Sequence, residues 1–308
     1  MTAHATKNPP QKDPSKIGRI ALIAGGGKVP LEAAHAARDA GSELLVIGIG
    51  GEADLGSLAP EIERTQLGWG QVGAFFSTLE TFGAERLVIV GSISKRPDFG
   101  SLKLDWGAVQ MLPRLLTTVL GGDESVLNKV AALLRERGLT LAGVHEIAPS
   151  LVAGEGHLAG PKPSDDALAD AALAAKSAWT AGHLDMGQGA VAVAGRIVAL
   201  EGAEGTDGML GRVGDLGKAK RFSKKAKTGC LAKAPRPQQD LRLDMPTIGP
   251  RTIDNAKAAG LSTVLVEADH VLVTQRSDVE ARCKAQGVSL IGWPRSKFLP
   301  AGAKDERL

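Results

Sequence analysis

Short apolar runs alternate with amphipathic segments through the first half of the chain. The apolar runs have the length of buried strands, and the segments between them carry apolar residues at helical spacing. The predicted strands lie at 17–24, 43–49, 86–90 and 139–144, and the predicted helices at 31–40, 72–82, 106–120 and 125–137. Helices between short apolar strands indicate a parallel, doubly wound sheet. Residues 17–146 are therefore predicted to form a Rossmann-like N-terminal domain.

A second α/β pattern follows a stretch at 147–165, which is rich in glycine and proline and is predicted to be a linker. The predicted strands lie at 190–194, 196–200, 229–233, 264–267, 271–274 and 289–292, and the helices at 167–181, 206–213, 252–259 and 278–286. A tight turn at Gly195 joins two of these strands. Residues 166–294 are predicted to form a C-terminal α/β domain with a mixed sheet. The polar ends, 1–16 and 295–308, are expected to be disordered.

The composition is typical of a soluble globular protein, with 43% hydrophobic and 23% charged residues. Aromatic residues make up 3% and tyrosine is absent, which argues against a base-stacking surface for nucleic acid. Cys230 and Cys283 lack metal-ligand spacing and are expected to be reduced and buried, as in a cytoplasmic protein. No segment has a signal-peptide pattern or the roughly 20 apolar residues that span a bilayer. A cytoplasmic location is expected, with any membrane contact peripheral.

A basic run, Lys218–Lys227, carries six Lys or Arg residues in ten. A solvated surface explains such a run without any partner. The alternative is attraction to an anionic membrane surface, at about 1 kcal/mol per cation near anionic lipid. On that alternative, the chain contacts the inner membrane peripherally.

Three glycines, Gly25–Gly27, lie between the first predicted strand and the first predicted helix. Backbone N–H groups at the start of a helix attract anions, so this turn is a candidate phosphate cradle. It is not the dinucleotide-binding fingerprint, because Pro30 occupies the position of the third glycine, and Lys28 is not followed by the Ser or Thr of a phosphate-binding P-loop. A tight turn without a ligand is the alternative.

Two further candidates follow strands of the first domain. Arg96 lies beyond the carboxyl end of the strand at 86–90, where open α/β sheets bind ligands, and could grip a phosphate with two hydrogen bonds. A solvated loop arginine is an equal alternative. His145 and Glu146 end the strand at 139–144, but neighbouring residues on a strand point to opposite faces. A structural or hinge role is favoured for this pair.

Acidic residues cluster after the second strand of the C-terminal domain. Glu201, Glu204 and Asp207 lie within seven residues. A helix cap explains Asp207, but capping does not need three acids. Ligand or metal contact is predicted for at least one of them.

The segment Lys233–Gly249 combines acids and bases with several prolines, which forbid a continuous helix. On an extended chain, the spacing of Asp240, Arg242 and Asp244 places all three side chains on one face. The carboxylates could then hold a divalent ion or orient water, while Arg242 neutralises a phosphate. A surface ion pair is the alternative. Thr247, ahead of the helix at 252–259, could belong to a second anion site.

These motifs together resemble the UDP-2,3-diacylglucosamine pyrophosphatase family of the calcineurin-unrelated type, found in bacteria that make lipid A. The matching residues are L-I-A-G-G-G at 22–27, R-P at 96–97, H-E at 145–146, D-M-G-Q-G-A-V at 185–191, E-G-T-D at 204–207 and L-R-L-D-M-P-T-I-G at 241–249. The resemblance covers the chain from about Ile17 to Trp293. It implies a two-domain hydrolase that splits the pyrophosphate of UDP-2,3-diacylglucosamine into UMP and 2,3-diacylglucosamine 1-phosphate. It also implies a divalent cofactor, Mg²⁺ or another ion such as Mn²⁺, and Asp244 as the essential acid.

The predicted site joins the catalytic Asp244 with ligand-binding residues from both domains, so the ligand is expected in the cleft between them. The substrate-binding candidates are Gly25, Gly26, Gly27, Arg96, Gln188, Thr206, Lys233, Arg242 and Thr247. The metal-binding candidates are Asp244, Asp240, Asp207 and Glu204. A leucine-rich helix at 111–120, with Leu104 and Trp106, could line a groove for the acyl chains.

Two other functions stay open at this point. One is a nucleotide-sugar or lipid-phosphate binding protein without turnover, and the other is a metal-dependent phosphotransferase. Release of UMP separates them, because a binding protein releases none and a transferase needs an acceptor other than water. Nucleic acid is not an expected partner, and a homodimer is one of the oligomeric states left open.

Overall fold

The computed structural model of the chain describes residues 18–93, 105–106, 134–222, 229–300 and 302. Several predictions fall on other residues: the leader at 1–16, the loop with Arg96, the leucine-rich helix at 111–120, most of the helix at 125–137 and the second half of the basic run. These lie outside the described residues.

The described part of the first domain forms a five-stranded sheet in the order β3-β2-β1-β4-β5, with every neighbouring pair parallel. Its strands are β1 Ile20–Ala24, β2 Leu44–Ile49, β3 Glu63–Leu67, β4 Arg86–Val90 and β5 Thr140–Ala142, and its helices are α1 Val29–Asp39, α2 Val72–Phe82 and α3 Val144–Ile147. The order is that of the doubly wound nucleotide-binding sheets. The predicted Rossmann-like parallel sheet is confirmed.

Alternating side chains of this sheet pack on two helical layers, because successive residues of a strand point to opposite faces. Ile20 and Leu22 of β1 join the cluster on the α1 side, whereas Ala21 joins the cluster that contains Leu79 of α2. Strand β3 was not predicted. Its sequence E-R-T-Q-L is mostly exposed at the edge of the sheet, so it lacks the apolar run by which buried strands are recognised.

The described part of the second domain forms a six-stranded mixed sheet in the order β6-β13-β11-β9-β7-β8. Its strands are β6 Gly156–Ala159, β7 Gly189–Val193, β8 Arg196–Leu200, β9 Cys230–Lys233, β11 Thr263–Glu267 and β13 Ser289–Trp293. Its helices are α4 Asp165–His183, α5 Gly205–Lys218, α6 Pro250–Ala258 and α7 Arg276–Gln286. Strands β9, β11 and β13 are parallel, and β6, β7 and β8 pair with antiparallel neighbours, which confirms the mixed sheet.

A buried acid fixes the hairpin between β7 and β8. Ala194 and Gly195 have φ of 50° and 75°, the left-handed pair that a two-residue hairpin turn requires. Asp170, which is 1% exposed, accepts hydrogen bonds from the N–H groups of both residues and from Gly229 N immediately before β9. Asp170 is thus a structural carboxylate.

Two expected boundaries need correction. Part of the predicted linker, Gly156–Ala159, is strand β6, which pairs with β13 at the edge of the second sheet. The predicted loose tail at 295–308 begins too early, because Arg295–Lys297 forms a 3-10 helix and Phe298 is fully buried in the second domain's core. Strand β6 was not predicted because glycines and prolines around it are typical of a linker. The burial of Phe298 was not predicted because a single aromatic residue in a polar tail gives no periodic pattern.

The two domains meet through apolar and polar contacts. On the second-domain side, strands β10 Thr247–Ile248 and β12 Leu272–Val273 pair to form a small two-stranded sheet. Beside it, Met245 and Leu272 lie in the hydrophobic cluster of the first domain. Glu32 of α1 accepts hydrogen bonds from the Thr274 hydroxyl, at 2.9 Å, and from the Gln275 backbone N–H. This packing brings the segment before β10 against the ends of the first domain's strands.

Both cysteines are buried, as expected, and burial raises the pKa of the Cys283 thiol to about 11 and raises that of Cys230 further. Across the described ranges, the structure contains no helix with the length and apolar character needed to cross a bilayer.

Candidate active site

A cleft of about 460 Å³ lies between the two domains. Its first-domain wall includes Gly26, Gly27, Gly91 and Ser92, at the ends of β1 and β4, and the apolar residues Val29, Ile89, Val90 and Val144. Its second-domain wall is formed by Gln188, Lys233, Asp244 and Thr247, next to Arg242. The structure therefore brings together predicted residues from both domains.

The first-domain wall is a close crossing of two backbones. Gly26 N donates to Ser92 O at 2.7 Å, and Ser92 N donates to Gly26 O at 3.0 Å. Gly91 has φ of 104°, and a Cβ there would lie 2.8 Å from the carbonyl carbon of Gly25. Only glycine fits such an approach.

The phosphate-cradle prediction is corrected for two of the three glycines. The N–H groups of Gly25 and Gly26 are hydrogen-bonded to Val90 O and Ser92 O, so they do not point at a ligand. These residues shape the wall, and Gly27, with φ of 96°, lines the cleft. The sequence signal for a strand-to-helix glycine turn was right, but the partner of its donors is the neighbouring strand.

Lys233, at the end of β9, is one of two cations among the described residues that line the second-domain wall, the other being Arg242. Its Nζ donates to Thr206 Oγ1 at 3.0 Å and to Thr247 O at 3.1 Å. Burial lowers the pKa of Lys233, and the negative charges of Glu201, Asp207 and Asp244 oppose that shift. Three predicted substrate-binding residues, Lys233, Thr206 and Thr247, thus form one cluster.

Glu201, one of the three acids for which contact was predicted but not one of the named site candidates, supports this cluster. It is 9% exposed, and its carboxylate accepts the Thr206 hydroxyl at 3.1 Å. Thr206 therefore donates to Glu201 while it accepts from Lys233. The sequence did contain a signal, because Glu201 is the first of the three acids that follow β8.

Asp244 is held by an amide. Gln239 Nε2 donates to Asp244 Oδ2 at 2.5 Å and to its backbone O at 3.0 Å. Gln239 Oε1 in turn accepts from Gln188 Nε2 at 2.9 Å and from Arg236 N at 3.0 Å. These partners fix both ends of the amide. Gln239 was missed in the sequence, because a glutamine in a proline-rich loop is common on a solvated surface.

The expected extended face of Asp240, Arg242 and Asp244 is wrong. The chain turns there, with Asp244 N donating to Asp240 O at 3.1 Å. Arg242 bonds back to Asp240 through its backbone N, its Nε and its NH2 group, and this hydrogen bonding lowers the pKa of Asp240. The alternative, an ion pair, is what the structure has. Arg242 still lines the cleft, but its charge is shared with Asp240.

Apolar residues of the same segment explain the turn. Leu241 and Met245 pack on the α1 side of the first domain's core, and Leu243 packs on its α2 side. The alternation of leucine with charged residues at 241–244 was interpreted as an extended strand. In the structure, these leucines pack on the first domain and hold the turn against it. Asp244 is thereby placed at the cleft.

The predicted metal ligands do not form one group. Glu204 pairs with Arg212 at 2.6 Å, Asp207 pairs with Arg251 and accepts from Asn255 at 2.7 Å, and Asp240 pairs with Arg242. Within the described ranges, no group of three or more His, Cys, Asp or Glu residues could hold a metal ion. The four-acid site is therefore corrected: arginine neutralises three of its members.

His145 and Glu146 lie on the short helix α3 rather than on a strand. Glu146 Oε1 accepts from Gly143 N at 2.8 Å and caps that helix. A structural role, which the sequence favoured, fits this contact.

Comparison with known proteins supplies the family. Residues 19–151 match the family model of the LpxI N-terminal domain, and residues 154–291 match that of the LpxI C-terminal domain. The chain is 36% identical over 277 residues to the UDP-2,3-diacylglucosamine pyrophosphatase LpxI of Caulobacter vibrioides. The match covers 89% of this chain and 97% of the relative.

The chain belongs to the LpxI family. The resemblance found in the sequence motifs is confirmed. The LpxI N-terminal match spans the parallel sheet. The LpxI C-terminal match covers the mixed sheet except for the last two residues of β13, which ends at Trp293. The second-domain wall of the cleft thus belongs to the LpxI C-terminal domain, while Gly26, Gly27, Gly91 and Ser92 belong to the LpxI N-terminal domain.

Proposed function

We propose that this LpxI-family protein is a hydrolase of lipid A biosynthesis that cleaves the pyrophosphate of UDP-2,3-diacylglucosamine to UMP and 2,3-diacylglucosamine 1-phosphate. The near full-length match to a UDP-2,3-diacylglucosamine pyrophosphatase supports the substrate. The observation that carries the proposal is the second-domain wall, where Asp244 and Lys233 line the same cleft. Hydrolysis of a dianionic pyrophosphate needs such a base and such a cation.

In this reaction, the oxygen of a water molecule attacks the sugar-side phosphorus while the bond to the UMP oxygen breaks. Asp244 orients the water and accepts its proton, and UMP leaves with the bridging oxygen. Asp244 suits this role because its carboxylate is held by a neutral amide, whereas Glu204, Asp207 and Asp240 are in ion pairs with arginine.

Lys233 balances the charge that builds up on the phosphoryl oxygens. Three carboxylates favour its ammonium form against the effect of burial. Its hydrogen bonds to Thr206 and Thr247 fix the amine in place before substrate binds, so that little reorganisation is needed in the transition state.

A divalent ion, Mg²⁺ or Mn²⁺, is a separate part of the proposal. Mg²⁺ is usually held by one or two carboxylates together with substrate phosphates rather than by a cage of protein ligands. Asp244 and the pyrophosphate would supply such a set. The ion would polarise the phosphoryl oxygens.

Release of UMP from UDP-2,3-diacylglucosamine tests the proposal. We expect turnover with water as the only acceptor, and loss of turnover in EDTA that added Mg²⁺ restores. Binding of the lipid without UMP release would overturn the hydrolase, and product formed only with a second acceptor would indicate a transferase. Undiminished activity in EDTA would refute the metal alone.

Peripheral membrane contact through the basic run Lys218–Lys227 also belongs to the proposal. Lys218 is exposed and pairs with Asp215 at the end of α5. Sedimentation with anionic vesicles at low and high salt tests it, because contact of this kind weakens as salt rises.

A further inference from the structure

A second cavity, of about 310 Å³, lies in the first domain between its sheet and helix α2. We call it the apolar pocket. Its apolar lining comes mainly from the carboxyl ends of the strands and the first turns of α2: Ile23, Ile49, Leu67, Trp69, Val72, Phe75, Ile89 and Ile93. Among the described residues that line it, only Glu52 and Gln71 have a carboxylate or amide side chain.

The apolar pocket is next to the catalytic cleft. Ile89, Val90 and Gly91, at the end of β4, line both cavities. From the end of β4, the cleft extends toward the second domain, and the apolar pocket extends toward α2. A ligand whose phosphates occupy the cleft can therefore reach the apolar pocket across the end of one strand.

The lining selects the kind of group that enters. A uracil base needs hydrogen-bond partners for its ring edge, because burial of an unpaired polar group is costly. A hydrocarbon chain needs none, and each buried methylene gains free energy from leaving water. An exposed isoleucine, Ile93, which is 60% exposed, extends the apolar surface.

We infer that the apolar pocket binds one acyl chain of the substrate. This inference rests on the proposed function and adds a specificity site to it. The acyl chain lies between the strand ends and α2. The end that is attached to the sugar passes Gly91 and faces Lys233 and Asp244. The groove expected from the helix at 111–120 falls on residues outside the described ranges.

The test narrows the apolar pocket without touching the cleft. Ile49 is partly buried at the end of β2 and lines only the apolar pocket, so Ile49→Phe adds bulk there. Val72→Phe does the same from the first turn of α2. The matched control is Ile197→Phe, on a partly buried strand residue of the second domain that lines neither cavity.

Each variant is assayed for UMP release with the long-chain substrate and with an analogue that carries acetyl groups in place of both chains. We expect kcat/KM for the long-chain substrate to fall about tenfold in Ile49→Phe and Val72→Phe, which is about 1.4 kcal/mol. The acetyl analogue should be turned over at an unchanged rate, and Ile197→Phe should change neither. Unchanged thermal unfolding shows that the variants fold.

Several results would overturn the inference while leaving the hydrolase intact. One is an equal loss on both substrates, and another is no loss on either by two folded variants. A weaker inhibition by UMP in the same variants would assign the pocket to the nucleoside. If wild-type protein releases no UMP at all, the proposed function fails. Direct binding of 2,3-diacylglucosamine 1-phosphate then tests the acyl-chain site by itself. Weaker binding to Ile49→Phe than to wild type supports the site, and equal binding refutes it.

Discussion

The two walls of the cleft differ in what they contribute. The first-domain wall consists of glycine backbone, one serine and apolar side chains such as Val29 and Val144, and the N–H groups of Gly25 and Gly26 are used within the domain. The second-domain wall presents an amine, a carboxylate and an amide that hydrogen bonds hold in place. One wall supplies a surface that a ligand can approach closely, and the other supplies charge. Substitutions on the two walls are therefore expected to change different quantities.

The largest effect is expected at Asp244. Asp244→Ala removes the group that accepts the proton of water, and loss of a positioned acid or base costs about 10²–10⁴-fold. We expect kcat to fall by that factor while substrate binding is kept or strengthened, because a negative charge beside the pyrophosphate is removed. Single-turnover rates and substrate binding measure the two quantities.

Asp240→Ala is the matched control for Asp244. Asp240 is bound to Arg242 rather than to Gln239, so its loss should lower kcat much less. An Asp244→Ala protein that folds normally and keeps more than about a tenth of the wild-type rate would contradict the assignment.

Lys233→Met should have the next largest effect. The substitution keeps an aliphatic side chain but removes the ammonium group from the second-domain wall, and loss of one such stabilising donor costs about 10²–10³-fold in kcat. Lys218→Met removes an exposed lysine from the same domain and should leave kcat unchanged. Similar rates for both variants under saturating substrate would show that the ammonium group of Lys233 is not needed.

Gln239→Leu tests how Asp244 is positioned. A hydrogen bond to a charged group contributes about 1.5–3 kcal/mol, so we expect kcat to fall between about ten- and a hundredfold with KM little changed. Gln238→Leu changes the exposed neighbour and should be neutral. If KM rises and kcat stays constant, the amide binds substrate instead.

The smallest effect on chemistry is expected at the first-domain wall. Gly91→Ala should lower stability by about 2–4 kcal/mol, because its Cβ meets the backbone of Gly25 in addition to the cost of a left-handed φ. Gly27→Ala has a similar φ but no neighbour within 4 Å, so it should lose only about 1–2 kcal/mol. Denaturant unfolding compares the two, and equal losses would show that the backbone crossing is not tight.

The sequence predicted most of the fold because buried strands and amphipathic helices carry periodic signals. The helix at 72–82 and the strands at 86–90 and 196–200 have the predicted bounds. The exceptions lack such a signal: β3 is polar, β6 is short and lies in a glycine-rich stretch, and Phe298 is one residue in a polar tail. Their places depend on partners far away in the chain.

The candidate site was predicted in its composition more than in its contacts. Thr206, Lys233, Asp244 and Thr247 all lie near the cleft, as expected. An acid is available for catalysis only if no arginine pairs with it, and the sequence does not show which arginine pairs with which acid. Arg251, for example, lies 44 positions from its partner Asp207. The turn at Asp240 depends on a side chain that bonds to the backbone two residues later, which competes with the extended form.

Met245 follows Asp244 in the chain but lies in the hydrophobic cluster of the first domain. Ribosomes make that domain first, and domains fold as units during synthesis. A nascent chain must then carry a folded first domain with an uncovered hydrophobic patch until Met245 and Leu272 emerge and cover it. Products of translation that stop before Met245 are expected to be inactive and to depend on chaperones for solubility.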